Sequence, residues 1–402
     1  MDSERKAVRR ITRPAGRGLI AVVRAAYVTT YDSSDLRAWS GLGYYVSRCL
    51  ELAGITVERI GPLPRRIHAL SRARHLEAKV QRRRYPLDRD PDITRAYSAE
   101  VQRRLTSMSS DVVFSPGTIP IAHLQGRHPT AFWADATFGG MVDLYSEYGR
   151  GRLSRRAIRV GCELDTRALD RAAVALYASE WAARTAIEYH SADPERVKVV
   201  PFGANMPIEN GREEVAELVS ARPHHRCRLL FVGVDWARKG GDLAVEVARV
   251  LNEQGLPTEL HVVGSSPANQ DFRPWLRRHA FVDKTTEEGS RLLRRLYAGA
   301  HFLIHPARAE CFGVVFSEAA AHAVVALATR VGGIPTAVRD GQTGALFDIS
   351  ASAEDYAEYI QSLFADRAGY EEKALAAFDD YERRLSWEAS AQAVREELDR
   401  IV

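Results

Sequence analysis

The sequence predicts an α/β protein with two doubly wound domains. Short apolar strands alternate with longer amphipathic stretches along most of the chain, a pattern typical of parallel sheets covered by helices. The chain has 402 residues, which is more than one core normally supports. Its content of 46% hydrophobic and 27% charged residues is that of an ordinary globular protein, and we find no apolar run of the length a membrane helix needs.

The N-terminal half begins with a series of predicted strands. A basic, flexible N-terminus (residues 1–18) precedes a first strand within Leu19–Val28, and a helix runs from Trp39 towards Gly54. The later strands share β-branched, aromatic and alanine residues and are Ile55–Ile60, Asp111–Phe114, Thr130–Ala134, Val174–Tyr177 and Val197–Val200. The polar stretch after residues 201–205 indicates a boundary, so we expect domains at 19–208 and 209–384 and a final helix at 385–402.

Two carboxylates in the C-terminal half bracket a loop and the first turn of an alanine-rich helix. Glu310 follows the predicted strand Ala300–His305, and Glu318 lies eight residues later. Ligands of open α/β sheets bind where strands end, and a helix N-terminus beside Gly313 offers backbone amides to an anion. Carboxylates accept hydrogen bonds from hydroxyl groups. Phosphate and polyol recognition together indicate a nucleotide sugar.

A second unit combines a strand, a basic loop and a helix. The apolar run Leu229–Gly233 precedes Arg238 and Lys239, and Asp242 precedes an apolar-periodic stretch in the position of a helix N-cap. Fixed cations at a strand end can offset the charge of a departing diphosphate. The alternative is that both are solvated loop charges.

The segment from Glu310 to Glu318, with Gly332 and Gly333 downstream, resembles the donor site of family-four retaining glycosyltransferases (glycosyl transferases group 1). Their GT-B fold has two Rossmann-like domains facing each other across a cleft. The resemblance implies that Glu310 contacts the transferred sugar and that Glu318 holds the ribose. It also implies that the loop between them contacts the sugar and the phosphates, through residues Phe312, Gly313, Val314 and Val315.

The same resemblance assigns Lys239 to the phosphates, with Arg238 as its neighbour or substitute. The commoner family pattern has an arginine where this sequence has Val234. Asp135, at the end of a strand, occupies the place where many relatives have a histidine facing the donor sugar, although it could equally be a turn or helix cap. Gly41 and Gly43 would bring a loop near the diphosphate or the acceptor, or form a plain tight turn.

The activity implied is sugar transfer, with retention, from a nucleoside-diphosphate sugar of UDP or GDP type to a glycan, lipid-linked or small-molecule acceptor. Glu310 would position the sugar, and the leaving phosphate would assist front-face attack. No cofactor or metal is expected. The four cysteines, at positions 49, 162, 227 and 311, have no spacing typical of zinc sites or of a disulfide framework.

Other functions remain open at this point. A nucleotide-sugar epimerase or a two-carboxylate hydrolase is one alternative. A non-enzymatic binder of anionic surfaces is another, because the segment Arg65–Arg104 carries twelve Lys or Arg against five acids, a net charge of +7. We expect a cytoplasmic protein without nucleic-acid partners, and contact with the inner face of a membrane is left open.

Overall fold

The structure, a computed structural model, describes residues 23–264 and 273–402. The predicted N-terminus at 1–18 and the start of the predicted first strand lie outside the described residues. Within the described part of the chain, no helix combines the length and apolarity needed to cross a bilayer.

The N-terminal domain is built on a parallel six-stranded sheet. Its strands lie in the order β2-β1-β3-β4-β5-β6 and are β1 (Arg24–Val28), β2 (Thr56–Ile60), β3 (Val112–Ser115), β4 (Thr130–Ala134), β5 (Val174–Tyr177) and β6 (Val197–Val199). The helices are α1 (Leu42–Leu52), α2 (Ala69–Val80), α3 (Pro91–Leu105), α4 (Phe138–Leu144), α5 (Arg155–Arg171) and α6 (Glu180–His190). Every residue of β3, β4 and β5 is buried, as expected for strands covered on both faces.

The C-terminal domain has a second parallel sheet in the order β12-β11-β10-β7-β8-β9. Its strands are β7 (Cys227–Gly233), β8 (Thr258–Gly264), β9 (Leu276–His279), β10 (Phe302–His305), β11 (Val325–Thr329) and β12 (Gly344–Phe347). The helices are α7 (Arg212–Ser220), α8 (Trp236–Lys239), α9 (Gly241–Glu253), α10 (Glu287–Gly299), α11 (Val314–Ala320), α12 (Ile334–Ala337), α13 (Ala353–Ala365) and α14 (Arg367–Asp380). A π-helical turn (Tyr381–Leu385) follows α14.

The last helix, α15 (Trp387–Leu398), packs against α1 of the N-terminal domain. Trp387 lies at the centre of this contact, stacked on Tyr45 at 5.8 Å between ring centroids and edge-on to Trp133 at 5.9 Å. Its indole nitrogen donates to the carbonyl of Ala204 at 3.0 Å. The chain therefore crosses between the domains twice, once near residue 205 and once before α15.

One local prediction was wrong. Asp242 is not the N-cap of α9; Gly240 caps the helix with a φ of +77°, and the Asp242 carboxylate instead accepts a hydrogen bond from the indole of Trp236 at 2.7 Å. Arg238 and Lys239 also lie in the short helix α8 rather than in an open loop. Glycine is favoured at the junction because a Cβ at residue 240 would meet the carbonyl of Pro306 at 2.1 Å.

Candidate active site

A cavity of about 550 Å³ lies between the two domains. The N-terminal domain supplies part of the segment 36–42 and Asp135, and the C-terminal domain supplies residues that follow β7, β8, β9 and β10. Strands β7 and β10 are neighbours in the sheet although they are distant in sequence. From these two central strands the successive strands are added in opposite directions across the sheet, and ligands of open α/β sheets bind in the crevice at such a switch point.

Lys239 and Glu310 meet at this switch point. The Lys239 ammonium forms an ion pair with Glu310 Oε2, and the two side chains are 13% and 11% exposed. Arg238 Nη1 lies 3.7 Å from the same carboxylate oxygen and donates to the carbonyl of Ala309 at 3.0 Å. The two basic residues found in the sequence therefore contact the first glutamate directly.

His305, which sequence analysis did not single out, completes this cluster. It ends β10, is fully buried, and has Nε2 3.6 Å from Glu310 Oε2. Burial lowers the pKa of His305 to about 4, and the charge of Lys239 acts in the same direction, so the imidazole is neutral near pH 7. Its only signal in the sequence was a polar residue at the end of an apolar strand.

Glu310 is ionised despite its burial. Desolvation raises the pKa of a buried carboxyl, but the charge of Lys239 and the nearby imidazole of His305 outweigh it and hold the pKa of Glu310 well below its usual range. The carboxylate is therefore a fixed negative charge beside two cations. It can accept hydrogen bonds from a ligand without first losing a proton.

The paired glycines 332 and 333 explain how the Glu310 loop is held. Gly333 N donates to the Glu310 carbonyl at 3.0 Å, and a Cβ on Gly333 would lie 1.8 Å from the carbonyl of Cys311. A Cβ on Gly332 would meet the Glu310 carbonyl at 2.1 Å. Only residues without a side chain allow this close backbone contact.

Glu318 lies in α11 and is almost completely buried while still lining the cavity. The hydroxyl of Tyr297 donates to its Oε2 at 2.9 Å, and Lys284 forms an ion pair with its Oε1. Neither partner was found from the sequence, since both depend on the packing of a separate segment against α11. Each carboxylate oxygen retains a further lone pair for a ligand hydroxyl.

The loop between the two glutamates also lines the cavity through Phe312, Gly313, Val314 and Val315. Gly313 has a φ of +85° and precedes the first residue of α11. Phe312 is buried and packs edge-on against Phe202 of the domain junction at 5.7 Å. The loop is thus anchored on its apolar side, and its backbone borders the cavity.

Asp135 follows β4 and faces the cavity from the opposite wall. Burial raises the pKa of Asp135 to about 6, and the nearby charge of Glu310 contributes in the same direction. The nearby side chain of Trp39 acts in the opposite direction and lowers this pKa. The carboxyl group therefore changes charge within the range of neutral pH.

Trp39 belongs to a strained turn that lines the cavity. Trp39 and Ser40 have φ values of +47° and +56°, a left-handed conformation that is costly for residues with a side chain. The side-chain amide of Asn205 donates to the Ser40 carbonyl at 2.9 Å and holds the turn. Strained backbone of this kind is often found at binding sites.

Gly41 and Gly43, expected in this turn, are not among the residues that line the cavity, whereas their neighbours Ser40 and Leu42 are. Gly41 has a φ of +83° and caps α1. A Cβ on Gly43 would lie 2.5 Å from the hydroxyl of Tyr31. In the structure both glycines permit a tight turn and close packing.

Tyr145 of the N-terminal domain contacts residues of the C-terminal domain beside the cleft. The guanidinium of Arg238 lies over its ring at 5.4 Å, and its hydroxyl accepts a hydrogen bond from the thiol of Cys311 at 3.2 Å. These contacts join the two domains directly beside Glu310. In the described parts of the chain, no cluster of three or more His, Cys, Asp or Glu has the arrangement of a metal site.

Comparisons with known proteins agree with this architecture. Residues 226–366 match the family model described as glycosyl transferases group 1. A D-inositol 3-phosphate glycosyltransferase of Corynebacterium aurimucosum is 32% identical over 221 residues, which are 52% of this chain and 52% of that protein. The chain thus spans about half the length of this curated relative.

Solved structures resemble most of the chain in fold. A sucrose-phosphate synthase from Thermosynechococcus elongatus superposes with a TM-score of 0.68 at 16% identity and covers 94% of this chain and 99% of its own. Anabaena HepE in complex with UDP-glucose gives a TM-score of 0.60 at 15% identity, with 94% and 99% covered. The two facing sheets therefore form a GT-B fold, and residues 226–366 match the glycosyl transferases group 1 family, which confirms the resemblance carried by the sequence motifs.

Proposed function

We propose that the protein is a retaining glycosyltransferase that uses a nucleoside-diphosphate sugar. The observation that carries the proposal is the ion-paired cluster of Lys239, Arg238 and Glu310 on one wall of the cleft, with Glu318 on the same wall. Cations suit a diphosphate and carboxylates suit sugar hydroxyls. HepE, which shares the fold, is described in complex with UDP-glucose, and this supports the donor class.

In this proposal the donor exchanges contacts with groups that are already paired. The diphosphate takes over the ammonium of Lys239 and the guanidinium of Arg238 from Glu310. Glu310 then accepts hydrogen bonds from the transferred sugar. The ribose adds its hydroxyls to the free lone pairs of Glu318, whose orientation Tyr297 and Lys284 fix.

In the proposed transfer step, negative charge develops on the leaving diphosphate and must be stabilised. The bond between the anomeric carbon and the phosphate oxygen breaks, and the diphosphate leaves with the electron pair, stabilised by Lys239 and Arg238. The acceptor hydroxyl attacks the same face of the sugar and gives its proton to the leaving phosphate oxygen. In this proposal Glu310 orients the sugar by accepting hydrogen bonds from its hydroxyls and forms no bond to carbon.

The cleft contacts do not favour a hydrolase. Asp135 has the raised pKa that a glycosidase needs in its general acid, but Glu310 is ion-paired with Lys239 beside Arg238, and a hydrolase has no need of these cations. An epimerase would convert the donor without an acceptor. Product analysis distinguishes these activities: transfer yields a glycosylated acceptor, hydrolysis yields free sugar, and epimerisation yields an isomeric nucleotide sugar.

Peripheral contact with an anionic membrane remains part of the proposal for the acceptor side. Three apolar side chains of α2 are 61% to 78% exposed: Leu70, Leu76 and Val80. Basic residues surround them, including Arg72 and Lys79. Apolar side chains flanked by cations are the chemistry of interfacial helices. In this proposal α2 would hold the N-terminal domain at a membrane that carries a lipid-linked acceptor.

The test measures donor binding before transfer. UDP-, GDP- and ADP-sugars are compared as stabilisers in thermal unfolding, because a bound ligand raises the unfolding temperature by mass action. We expect one base to stabilise the wild type and expect the double variant Lys239→Met/Glu310→Gln to lose that shift. This variant removes both members of the ion pair, so it avoids leaving one buried charge unpaired. Equal stabilisation of wild type and double variant would contradict the site assignment.

A further inference from the structure

The N-terminal domain contains a second cavity, outside the interdomain cleft. Its volume is about 660 Å³, within the range of small-molecule sites. It lies between α2, the segment after α2, and the start of α5. Five arginines line it, together with a single carboxylate, Glu77; the arginines are Arg74, Arg83, Arg150, Arg155 and Arg156.

Most of this positive charge has no close carboxylate. Arg74 is neutralised by Asp90 at 3.0 Å and Asp92 at 2.8 Å. Arg83 donates to the backbone carbonyls of residues 150 and 151, which carry no charge. Within the described residues, neither Arg83 nor Arg155 has a carboxylate within the 4.0 Å of an ion pair.

The two remaining arginines have only distant partners. Arg150 is 3.7 Å from Asp143, and Arg156 is 3.9 Å from Glu77. The four side chains of these two pairs are each at least 44% exposed. Solvent therefore weakens the attraction between each arginine and its carboxylate. The cavity therefore has an excess of positive charge that the protein itself does not offset.

A rigid, partly apolar floor supports these arginines. The backbone of Arg84 pairs with the segment 152–154 through hydrogen bonds of 2.8 and 3.2 Å, which fixes the segment after α2 against the start of α5. Leu153, Ala78 and Tyr85 are buried beneath. Helix α5 also begins here, with Ser154 as its N-cap, so its dipole adds to the positive potential.

The rest of the basic segment Arg65–Arg104 differs from this cavity. On α3 and before it, the arginines are used in ion pairs: Arg89 with Asp165, Arg95 with Asp92, and both Arg103 and Arg104 with Glu100. The uncompensated charge is therefore concentrated at α2 and the cavity. It is increased there by Arg150, Arg155 and Arg156, which are remote in sequence.

We propose that this cavity binds the phosphate group of a phosphomonoester or phosphodiester. Guanidinium groups bind phosphate oxygens in bidentate pairs, and several converging arginines form the usual recognition site for such an anion. The phosphate can belong to a soluble phosphorylated polyol or to a phospholipid headgroup. The site is separate from the donor site in the cleft, and its existence does not depend on the proposed transfer activity.

The experiment uses the full chain and three probes at constant ionic strength. Glycerol 3-phosphate and inorganic phosphate are titrated calorimetrically, and sedimentation is measured with phosphatidylcholine vesicles that contain or lack phosphatidylglycerol. The cavity variant is Arg155→Gln/Arg156→Gln. The matched control, Arg103→Gln/Arg104→Gln, removes the same charge from α3.

We expect the wild type and the control to bind at least one phosphate probe and the cavity variant to bind it at least about tenfold more weakly. Binding of glycerol 3-phosphate identifies a soluble ligand, and binding only to vesicles with phosphatidylglycerol identifies a headgroup. No binding by the wild type, or equal losses in both variants, would overturn the proposal. Stabilisation by the sugar nucleotide should persist in the cavity variant, so this result is independent of the donor-site test.

Discussion

The interdomain cleft and the basic cavity of the N-terminal domain both hold clustered cations, but they treat those charges differently. In the cleft the cations beside the two glutamates are matched: Lys239 by Glu310, Arg238 by Asp235 at 3.1 Å, and Lys284 by Glu318. In the basic cavity, Arg83 and Arg155 face no carboxylate within ion-pair distance among the described residues. The cations of the first site are paired before a ligand arrives, whereas the second site carries excess positive charge.

This difference determines how each site would select an anion. A ligand of the cleft must replace contacts within the protein, so its affinity depends on matching both the cations and the carboxylates that they release. A ligand of the basic cavity is attracted by uncompensated charge and needs only phosphate chemistry. Four expected outcomes, from the largest effect to the smallest, test the role of paired charges in the cleft and of uncompensated charges in the basic cavity.

The largest effect is expected from Lys239→Met. The change leaves Glu310 buried beside Arg238 without its main partner, which should cost about 3 kcal/mol of stability, and transfer should fall about 10³-fold because a phosphate-stabilising cation is lost. Denaturant unfolding and a sugar-transfer assay measure the two effects. Adding Glu310→Gln should restore stability but not transfer. If transfer returned as well, the pair would be structural only.

The next effect comes from the glycines behind Glu310. Gly333→Ala places a methyl group where only 1.8 Å separates it from the carbonyl of Cys311, so the Glu310 loop must shift. We expect about a 10²-fold loss of transfer, since displacements near 1 Å have such effects. Gly211→Ala is the control, because a Cβ there meets nothing within 4 Å. Similar activity in both variants would show that the loop tolerates movement.

The third effect concerns pH. Asp135 has a pKa raised to about 6, mainly by burial, so it is protonated below pH 6 and ionised above it. If the carboxylate faces the donor sugar, transfer should rise about tenfold between about pH 5 and pH 7. Glu310 and His305 titrate below this window, because the pKa of each is lowered. The variant Asp135→Asn should flatten the profile, and an unchanged profile would exclude Asp135 as the titrating group.

The smallest expected effect is a difference in salt dependence between ligand binding at the two sites of the wild type. Raising the salt concentration about tenfold should weaken phosphate binding at the basic cavity several-fold, because exposed charges are screened. Donor binding in the cleft should change less than about twofold, since its charges are shielded from solvent and paired. Calorimetry at the two salt concentrations measures both. Equal salt dependence would remove the contrast between the sites.

Sequence analysis predicted the elements whose signal is local. The strands Thr130–Ala134 and Val174–Tyr177 have the predicted bounds, because both are short apolar runs between polar segments. The loop from Glu310 to Glu318 could be found for a similar reason, since chain connectivity alone keeps its residues together. Two Rossmann-like domains also followed from the alternation of strands and helices, and the fold confirms them.

What sequence analysis missed depends on contacts between distant segments. Lys284 and Tyr297 reach Glu318 only through the packing of their segments against α11. The left-handed turn at Trp39 and Ser40 is held by Asn205, which is remote in sequence. The net charge of the basic segment was also misleading, because a sum over sequence does not show which arginines on α3 are already paired.

The return of α15 to the N-terminal domain has a consequence for how the chain can be divided. Trp387 of α15 packs among Tyr45, Trp133 and Phe202 of the N-terminal domain. A cut after residue 208 would leave α15 on the C-terminal fragment and expose these three aromatic side chains on the N-terminal fragment. Neither half is then a self-contained folding unit. Two separately expressed fragments should instead associate through α15, which makes this protein a candidate for reconstitution from a split chain.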